Sequence, residues 1–474
     1  MKNKHIYMLL VGLILGSCKA PQIINKGTKS TLPMAYNNAA SADSSIAKIS
    51  WKNYFSDQNL INLIDTALIS NQDIAIALQH IEMAKSGVLL TKGALKPVVE
   101  GIGGANIQKY GRYTMDGAGN RNTEMINGKD IPVHLPDFLA GFQASWEIDL
   151  YGKLRNRTKA AQTRLLASVE AKNYVATNIV TEIALAYYEL LALDNELNTI
   201  DAYVKIQENA VELVRVQKEA AATNELAVKQ FEAQLLNLQE MRFVILQSIV
   251  ENESKINYLI GRYPQPIRRT PTAIETLLPK TISTGIPTDL LLNRPDLRQA
   301  ELNLSASKID VQVARTAFLP SLNISAILGL NAFRPDLLIT KPASIAYGLL
   351  GGLAAPLINK NAIQAEFNYA TASQLEALYS YNQQIIGAYI EVYNQMALIR
   401  NLEQNSQLKT KQSDVLNQSI DISTDLFRNN RATYLEVLIA QENALEAKLS
   451  LIQLRKNQLQ SSVNIYKALG GGWR

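Results

Sequence analysis

The chain has 474 residues, 47 of them Lys or Arg and 42 Asp or Glu, giving a formal net charge of +5. That mild balance, with no basic block interleaved with aromatics, argues against nucleic acid as a partner. A single cysteine excludes an internal disulfide, and the isolated His5, His80 and His134 suggest no ligand set, so neither metal nor other cofactor is expected.

The N-terminus reads Met1-Lys2-Asn3-Lys4-His5, then an apolar run from Ile6 to Leu15, then Gly16-Ser17-Cys18. A basic start, a short apolar centre and a small-residue exit predict a signal peptide over residues 1–17. The run is too short to cross about 30 Å of hydrocarbon as a helix. Leu15-Gly16-Ser17-Cys18 resembles a bacterial lipobox, so lipidation of Cys18 is expected, with residues 18–50 as a tethered linker. The alternative is an ordinary signal peptide that contains a cysteine. No later stretch is long and apolar enough for a transmembrane helix, so any further crossing must use β-strands.

The rest is written twice. Ser70-Asn71-Gln72-Asp73-Ile74 returns as Asn293-Arg294-Pro295-Asp296-Leu297, and Ala94-Leu95-Lys96-Pro97-Val98 as Ala317-Phe318-Leu319-Pro320-Ser321, both at an offset of 223. Farther on, Ala186-Tyr187-Tyr188-Glu189 matches Glu391-Val392-Tyr393-Asn394 at 205. Leu226 and Val228 match Leu435 and Val437 at 209, as Ile260-Gly261 matches Leu469-Gly470. Two repeats follow, 51–270 and 271–474, each reading helix, strand pair, long helix, long helix.

In the first repeat, a glycine-rich strand over Val98 to Tyr113 precedes a polar loop, Thr114 to Pro136, with Asp116-Gly117 and Asn127-Gly128 turn signals. Phe138 to Leu150 then alternates strictly, Phe142, Ala144, Trp146 and Ile148 against Gln143, Ser145, Glu147 and Asp149. A helix from about Lys153 to Ala220 would be roughly 100 Å long at ~1.5 Å per residue. Its stripe runs Ile179, Ile183, Ala186, Leu190, Leu193, Leu197, Ile200, Val204, Gln207, Val211, Val214, with Gln207 the polar exception. In the second repeat, Ser321 to Ala332 reads as the counterpart of Phe138 to Leu150, with Asn323 and Ser325 on its polar side, and Ser344 to Leu357 as its partner strand. A last stripe passes through Leu435, Leu438, Glu442, Leu445, Leu449, Ile452, Lys456, Leu459, Val463 and Tyr466. Seven-residue spacing of this length predicts coiled-coil packing.

The helices alone suit a soluble bundle, but the strands do not. Four strands with one apolar face cannot leave open edges in lipid, and bacterial barrels begin at about eight strands. Three copies supplying twelve strands would close one water-filled barrel. The fold class is therefore mostly α with membrane β: tandem repeats, long coiled-coil helices, and four strands per chain in a trimeric barrel.

Here a resemblance becomes specific. Trp51-Lys52-Asn53-Tyr54-Phe55-Ser56-Asp57, Trp146-Glu147-Ile148-Asp149-Leu150-Tyr151-Gly152, Arg294-Pro295-Asp296-Leu297, Ala317-Phe318-Leu319-Pro320 and Tyr434-Leu435-Glu436-Val437-Leu438 are similar to recurring stretches of the TolC-like outer-membrane efflux proteins. The lipobox resembles that family's lipoprotein branch. The resemblance implies a homotrimer in outer-membrane lipid with a helical tunnel in the periplasm. It also implies a periplasmic adaptor and an inner-membrane transporter, usually of the resistance-nodulation-division type.

For such a conduit the relevant residues govern access. Gln143, Ser145, Glu147, Asp149, Asn323 and Ser325 are expected on the barrel's inner wall. Asn429-Asn430-Arg431-Ala432-Thr433 separates the last two long helices, and Asn430 stands where relatives often carry Gly. The resemblance puts Glu436 where relatives carry an acid facing a closed aperture; a solvated Glu on an amphipathic helix is the alternative. Ile439 stands where some relatives have a second acid, and an apolar ring there would gate by dewetting. No catalytic set is apparent, so an enzyme is not expected. The rival readings are a non-channel coiled-coil adaptor or scaffold lipoprotein and, among ducts, a protein-secretion channel.

Overall fold

The computed structural model describes residues 45–125, 128–269, 287–356, 360–429 and 431–474, together with positions 21, 22, 33, 285 and 358. The signal peptide, Cys18, most of the 18–50 linker, Asn127, the repeat boundary at 270 and 271, and Asn430 lie outside the described residues.

Seven substantial helices are described: α1 (Gln58–Ser70), α2 (Gln72–Gly93), α3 (Lys153–Glu219), α4 (Glu225–Ile260), α5 (Pro295–Thr316), α6 (Asn361–Arg428) and α7 (Tyr434–Ala468). Four strands, β1 (Val98–Gln108), β2 (Leu135–Ile148), β3 (Ser321–Ala332) and β4 (Ile345–Ala354), form one antiparallel sheet in that order. No described helix is long and apolar enough to cross a membrane.

The chain divides into two compact units. Met83–Leu165 and Leu302–Leu378 build one; Leu166–Glu301, Tyr379–Arg474 and the described part of Thr28–Glu82 build the other. Each unit draws on both repeats, so the units cut across the tandem organisation of the sequence.

The first unit holds the sheet. β3 matches its expected span, whereas β1 and β4 stop short of Tyr113 and Leu357, and β2 begins at Leu135 and ends at Ile148. Phe138 lies opposite Ala332 and Ile148 opposite Leu322. The two cleanly alternating strands are thus neighbours in the sheet, not counterparts across the repeats. The offset of 223 makes β3 the equivalent of β1, and the sheet is two hairpins joined along β2 and β3. At that seam Gly141 faces Gly329. A Cβ on Gly141 would stand 2.4 Å from the Leu328 carbonyl oxygen, so side chains are excluded there by backbone. Beside the sheet, Val311, Ala314 and Phe318 pack on Phe367 and Ala370. The Phe318 and Phe367 rings meet edge to face with centroids 6.1 Å apart, a favourable quadrupole arrangement.

The second unit is helical. Along α3 most of the expected stripe is buried, with Ile183, Leu190 and Ile200 fully enclosed, but between Ala176 and Leu193 burial runs round the helix and takes in Val180, Ala184, Tyr187 and Leu191 as well. Gln207, the polar exception, is buried too, and its Nε2 donates to the Phe231 carbonyl at 2.9 Å. That bond meets the cost of enclosing an amide. On α7 Leu445, Leu459, Val463 and Tyr466 of the stripe are buried and Leu449, Ile452 and Lys456 half-buried, but nearer the helix start the buried row is displaced. Leu435 and Glu442 are exposed there, while Val437, Gln441 and Ala444 are buried. The reason is a local core of Val211, Val214, Ala227, Val228 and Phe231, onto which Phe427, Tyr434 and Leu438 also pack.

Candidate functional site: a two-faced sheet and a helical turn

Strand register sorts the sheet into two faces, because directly opposed residues share a side. Ser145 faces Ser325 and Glu147 faces Asn323, while Glu100 of β1 faces Gln143. The expected inner-wall residues on β2 and β3 therefore share one face. Glu100, Asn106, Asp137 and Asn331 join them by register, and Asn331 Nδ2 donates to Asp137 Oδ1 at 2.5 Å. Sequence reasoning missed Glu100 and Asn106 because the glycines of β1 blur its alternation; only pairing reveals its phase. The opposite face is apolar and open: Val99, Phe142, Leu328, Tyr347, Leu349 and Leu353 are exposed. A soluble sheet would bury such a face.

Asp149, expected on the polar face, stands just beyond the end of β2. Its Oδ1 accepts from the Leu154 N–H at 2.9 Å and its Oδ2 from the Arg155 N–H at 3.0 Å, so it caps the first turn of α3. Arg155 Nε adds an ion pair at 2.9 Å. Partial burial pulls the carboxyl up, but the two N–H groups and the guanidinium hold it below its usual range. Gly152, at φ +75°, supplies the left-handed turn between strand and helix. Glu147 pairs with Lys153 at 2.9 Å, and Trp146 Nε1 donates to the Leu95 carbonyl at 3.1 Å. The Trp146 to Gly152 stretch is a strand-to-helix corner held by the side chains of Trp146, Glu147 and Asp149.

At the opposite ends of the long helices, two turns can be compared. Between α3 and α4, Ala221 adopts φ 55° and Asn224 Oδ1 accepts the Ala227 N–H at 3.1 Å. Arg215, Lys229 and Glu232 form exposed ion pairs, at 2.7 and 2.8 Å to Glu232, and Lys218 pairs with Glu225. Between α6 and α7, the Arg431 N–H donates to the Leu426 carbonyl at 2.8 Å. The Thr433 N–H donates to Glu436 Oε2 at 2.6 Å, the reach-back of a capping box. Glu436 therefore has a local task at the helix start while remaining exposed, and Leu435 and Ile439 beside it are about half exposed. The repeat equivalents behave alike: Leu226 is exposed as Leu435 is, and Val228 buried as Val437 is. Among the described residues no cluster of His, Cys, Asp or Glu has the makings of a metal site.

An open sheet with one bare apolar face, joined to paired long helices, defines an outer-membrane channel subunit. The chain belongs to the outer membrane efflux protein family, whose pattern it matches over residues 63–262 and 286–471. It is 28% identical to the pyoverdine export outer membrane protein OpmQ of Pseudomonas aeruginosa, over 100% of this chain and 98% of that protein. It is 24% identical to the cation efflux system protein CusC of Escherichia coli K12, over 93% of this chain and 92% of that protein. In fold it is similar to the outer-membrane channel OprN, with a TM-score of 0.84 at 22% identity over 95% of this chain and 99% of that one. The open-state MtrE channel of Neisseria gonorrhoeae gives 0.82 at 20% identity, over 96% and 98%. The family comprises transport channels of the outer membrane with a helical tunnel in the periplasm.

Proposed function

We propose that this chain is the outer-membrane exit duct of a tripartite efflux system, passing small molecules loaded by an inner-membrane pump through a periplasmic adaptor. The observation that carries the reading is the unfinished sheet. β1 and β4 each have a strand partner on one side only among the described residues, and the apolar face between them is uncovered. Lipid does not tolerate such edges. Joining β4 of one copy to β1 of the next is a head-to-tail contact that closes after three copies, giving a twelve-stranded barrel. Two exposed seams at heptad spacing favour the same homotrimer: Leu236, Phe243 and Val250 on α4, and Leu408, Val415 and Ile422 on α6. In the trimer, the polar face of β2 and β3 lines a wet lumen, and Glu436 with Ile439 forms rings at the periplasmic aperture near Asn430 and Arg431.

Small-molecule cargo is favoured over polypeptide by the relatives, whose names cover pyoverdine, cations and solvents. The pump is of the resistance-nodulation-division type, and lipidated Cys18 tethers the linker. Protein purified from outer membranes is expected to run as a trimer and to conduct in planar bilayers. A monomer without channel activity overturns the reading.

A further inference from the structure

We infer that the outer end of the β1–β2 hairpin is a binding site for the headgroup phosphate of a membrane lipid. This rests on the sheet spanning the membrane, which puts the strand ends remote from α2 and α3 at the outer surface. Past Gln108 the loop is tightly folded on itself. The Thr114 N–H donates to the Gly111 carbonyl at 3.1 Å, the Ala118 N–H to Thr114 at 3.0 Å, and the Ile131 N–H to Thr123 at 3.3 Å. Gly117 is buried against this turn, where a Cβ would stand 2.1 Å from the Gly111 carbonyl oxygen. The loop borders an open hollow of about 310 Å³, lined by Tyr110, Pro132, Val133 and three exposed cations, Lys109, Arg112 and Arg121.

Among the described residues no carboxylate lines that hollow, and none of the three cations enters an ion pair. Like charges gathered without a counter-ion repel one another, and an oxyanion held between them relieves the repulsion while accepting charge-assisted hydrogen bonds. A free phosphate would satisfy the charges alone. The surroundings favour a lipid. Ile107, on the apolar face of β1, is 72% exposed, and Tyr113 and Met115 are 98% and 88% exposed. A headgroup in the hollow would lay its acyl chains along Ile107 and the bare face of the sheet, covering apolar surface that an inorganic anion leaves in water.

The test titrates the purified full-length trimer in detergent with monophosphoryl lipid A, its dephosphorylated form, and inorganic phosphate. The phosphorylated lipid is expected to bind at least about tenfold more tightly than the dephosphorylated form. The variant combining Lys109→Ala, Arg112→Ala and Arg121→Ala should lose about as much, and one with Lys109→Arg and Arg121→Lys, which keeps all three charges, should retain it. The dephosphorylated arm uses the unaltered protein, so it stands even if a variant fails to assemble. Equal affinity for the two lipids, or undiminished binding by the alanine variant, overturns the proposal. Binding of inorganic phosphate without the lipid overturns it as well.

Discussion

Asn71 and Arg294 hold the same position in the two repeats and donate to equivalent carbonyls by different chemistry. Asn71 Nδ2 donates to Leu259 at 2.8 Å, and Arg294 Nη1 to Ala468 at 2.9 Å. Residues 71 and 294 are offset by 223, and 259 and 468 by 209, the two spacings of the repeat. Each therefore ties the start of one helix to the end of another. Asn71 also caps α2, its Oδ1 accepting from Asp73 at 2.8 Å. The second repeat opens α5 with Pro295, which has no N–H to satisfy. That frees position 294 for a buried guanidinium paired with Asp296 at 2.8 Å and Glu391 at 2.7 Å. Burial works against that charge, but the two carboxylates more than offset it and its pKa is raised. Arg294→Ala is expected to cost about 3–5 kcal/mol, because it strands Asp296 and Glu391. Asn71→Ala should cost about 1–2 kcal/mol, chiefly the cap. Thermal unfolding of the detergent-solubilised trimer checks the ranking; equal effects would contradict it.

The carbonyl bonds are possible because a glycine follows each of those helices. Gly261 sits at φ +77° and Gly470 at φ +96°. A Cβ would come within 2.6 Å of the Ser70 carbonyl oxygen at the first and of the Asn293 carbonyl at the second. Gly261→Ala and Gly470→Ala should each destabilise by at least about 1–3 kcal/mol, strain and backbone collision adding. A neutral outcome in unfolding experiments would rule out this close approach.

Asp149 carries a pH signature. Its carboxyl is held below the ordinary value of 3.8, so the capped state binds fewer protons than the unfolded chain. Its contribution is fully present above the ordinary value and fades as pH falls through the lowered one. Asp149→Asn should weaken the α3 start by about 1 kcal/mol at neutral pH, because the amide keeps one acceptor oxygen and loses the charge that pairs with Arg155. The gap between variant and parent should narrow in acid. Unfolding midpoints measured from pH 7 down to about 2 reveal the trend, and a gap that widens in acid has the wrong sign.

Glu436 has a helix-capping bond in the structure and a proposed place at the aperture, and one substitution separates the two. Gln serves as the third residue of a capping box almost as well as Glu. Glu436→Gln should therefore leave the unfolding midpoint unchanged while reducing the channel's cation preference. Reversal potentials in a salt gradient are the readout. If they do not move, the carboxylate's role is local.

Cys18 offers a simpler expectation. In the proposed trimer the strands already commit the chain to the membrane, so an acyl tether on Cys18 would be auxiliary. Cys18→Ser behind a cleavable signal should still yield trimeric channels in the membrane fraction. Complete loss of membrane association would make the lipid the principal anchor.

The amino-acid sequence by itself determined the tandem plan, the α3 stripe with its polar exception at Gln207, the four strands and the turn before Tyr434. Those features are local: a period of two or of seven, or a turn residue, is dictated by neighbours along the chain. Only the tertiary structure decided which strands lie side by side, and so put Phe138 against Ala332. It alone displaced the buried row of α7 to Val437, Gln441 and Ala444, and turned Asp149 from a strand residue into a helix cap. Each of these depends on what another element presents across a gap: a strand's register, a core from α3 and α4, two unsatisfied N–H groups. No periodicity in one segment encodes the partner that settles it.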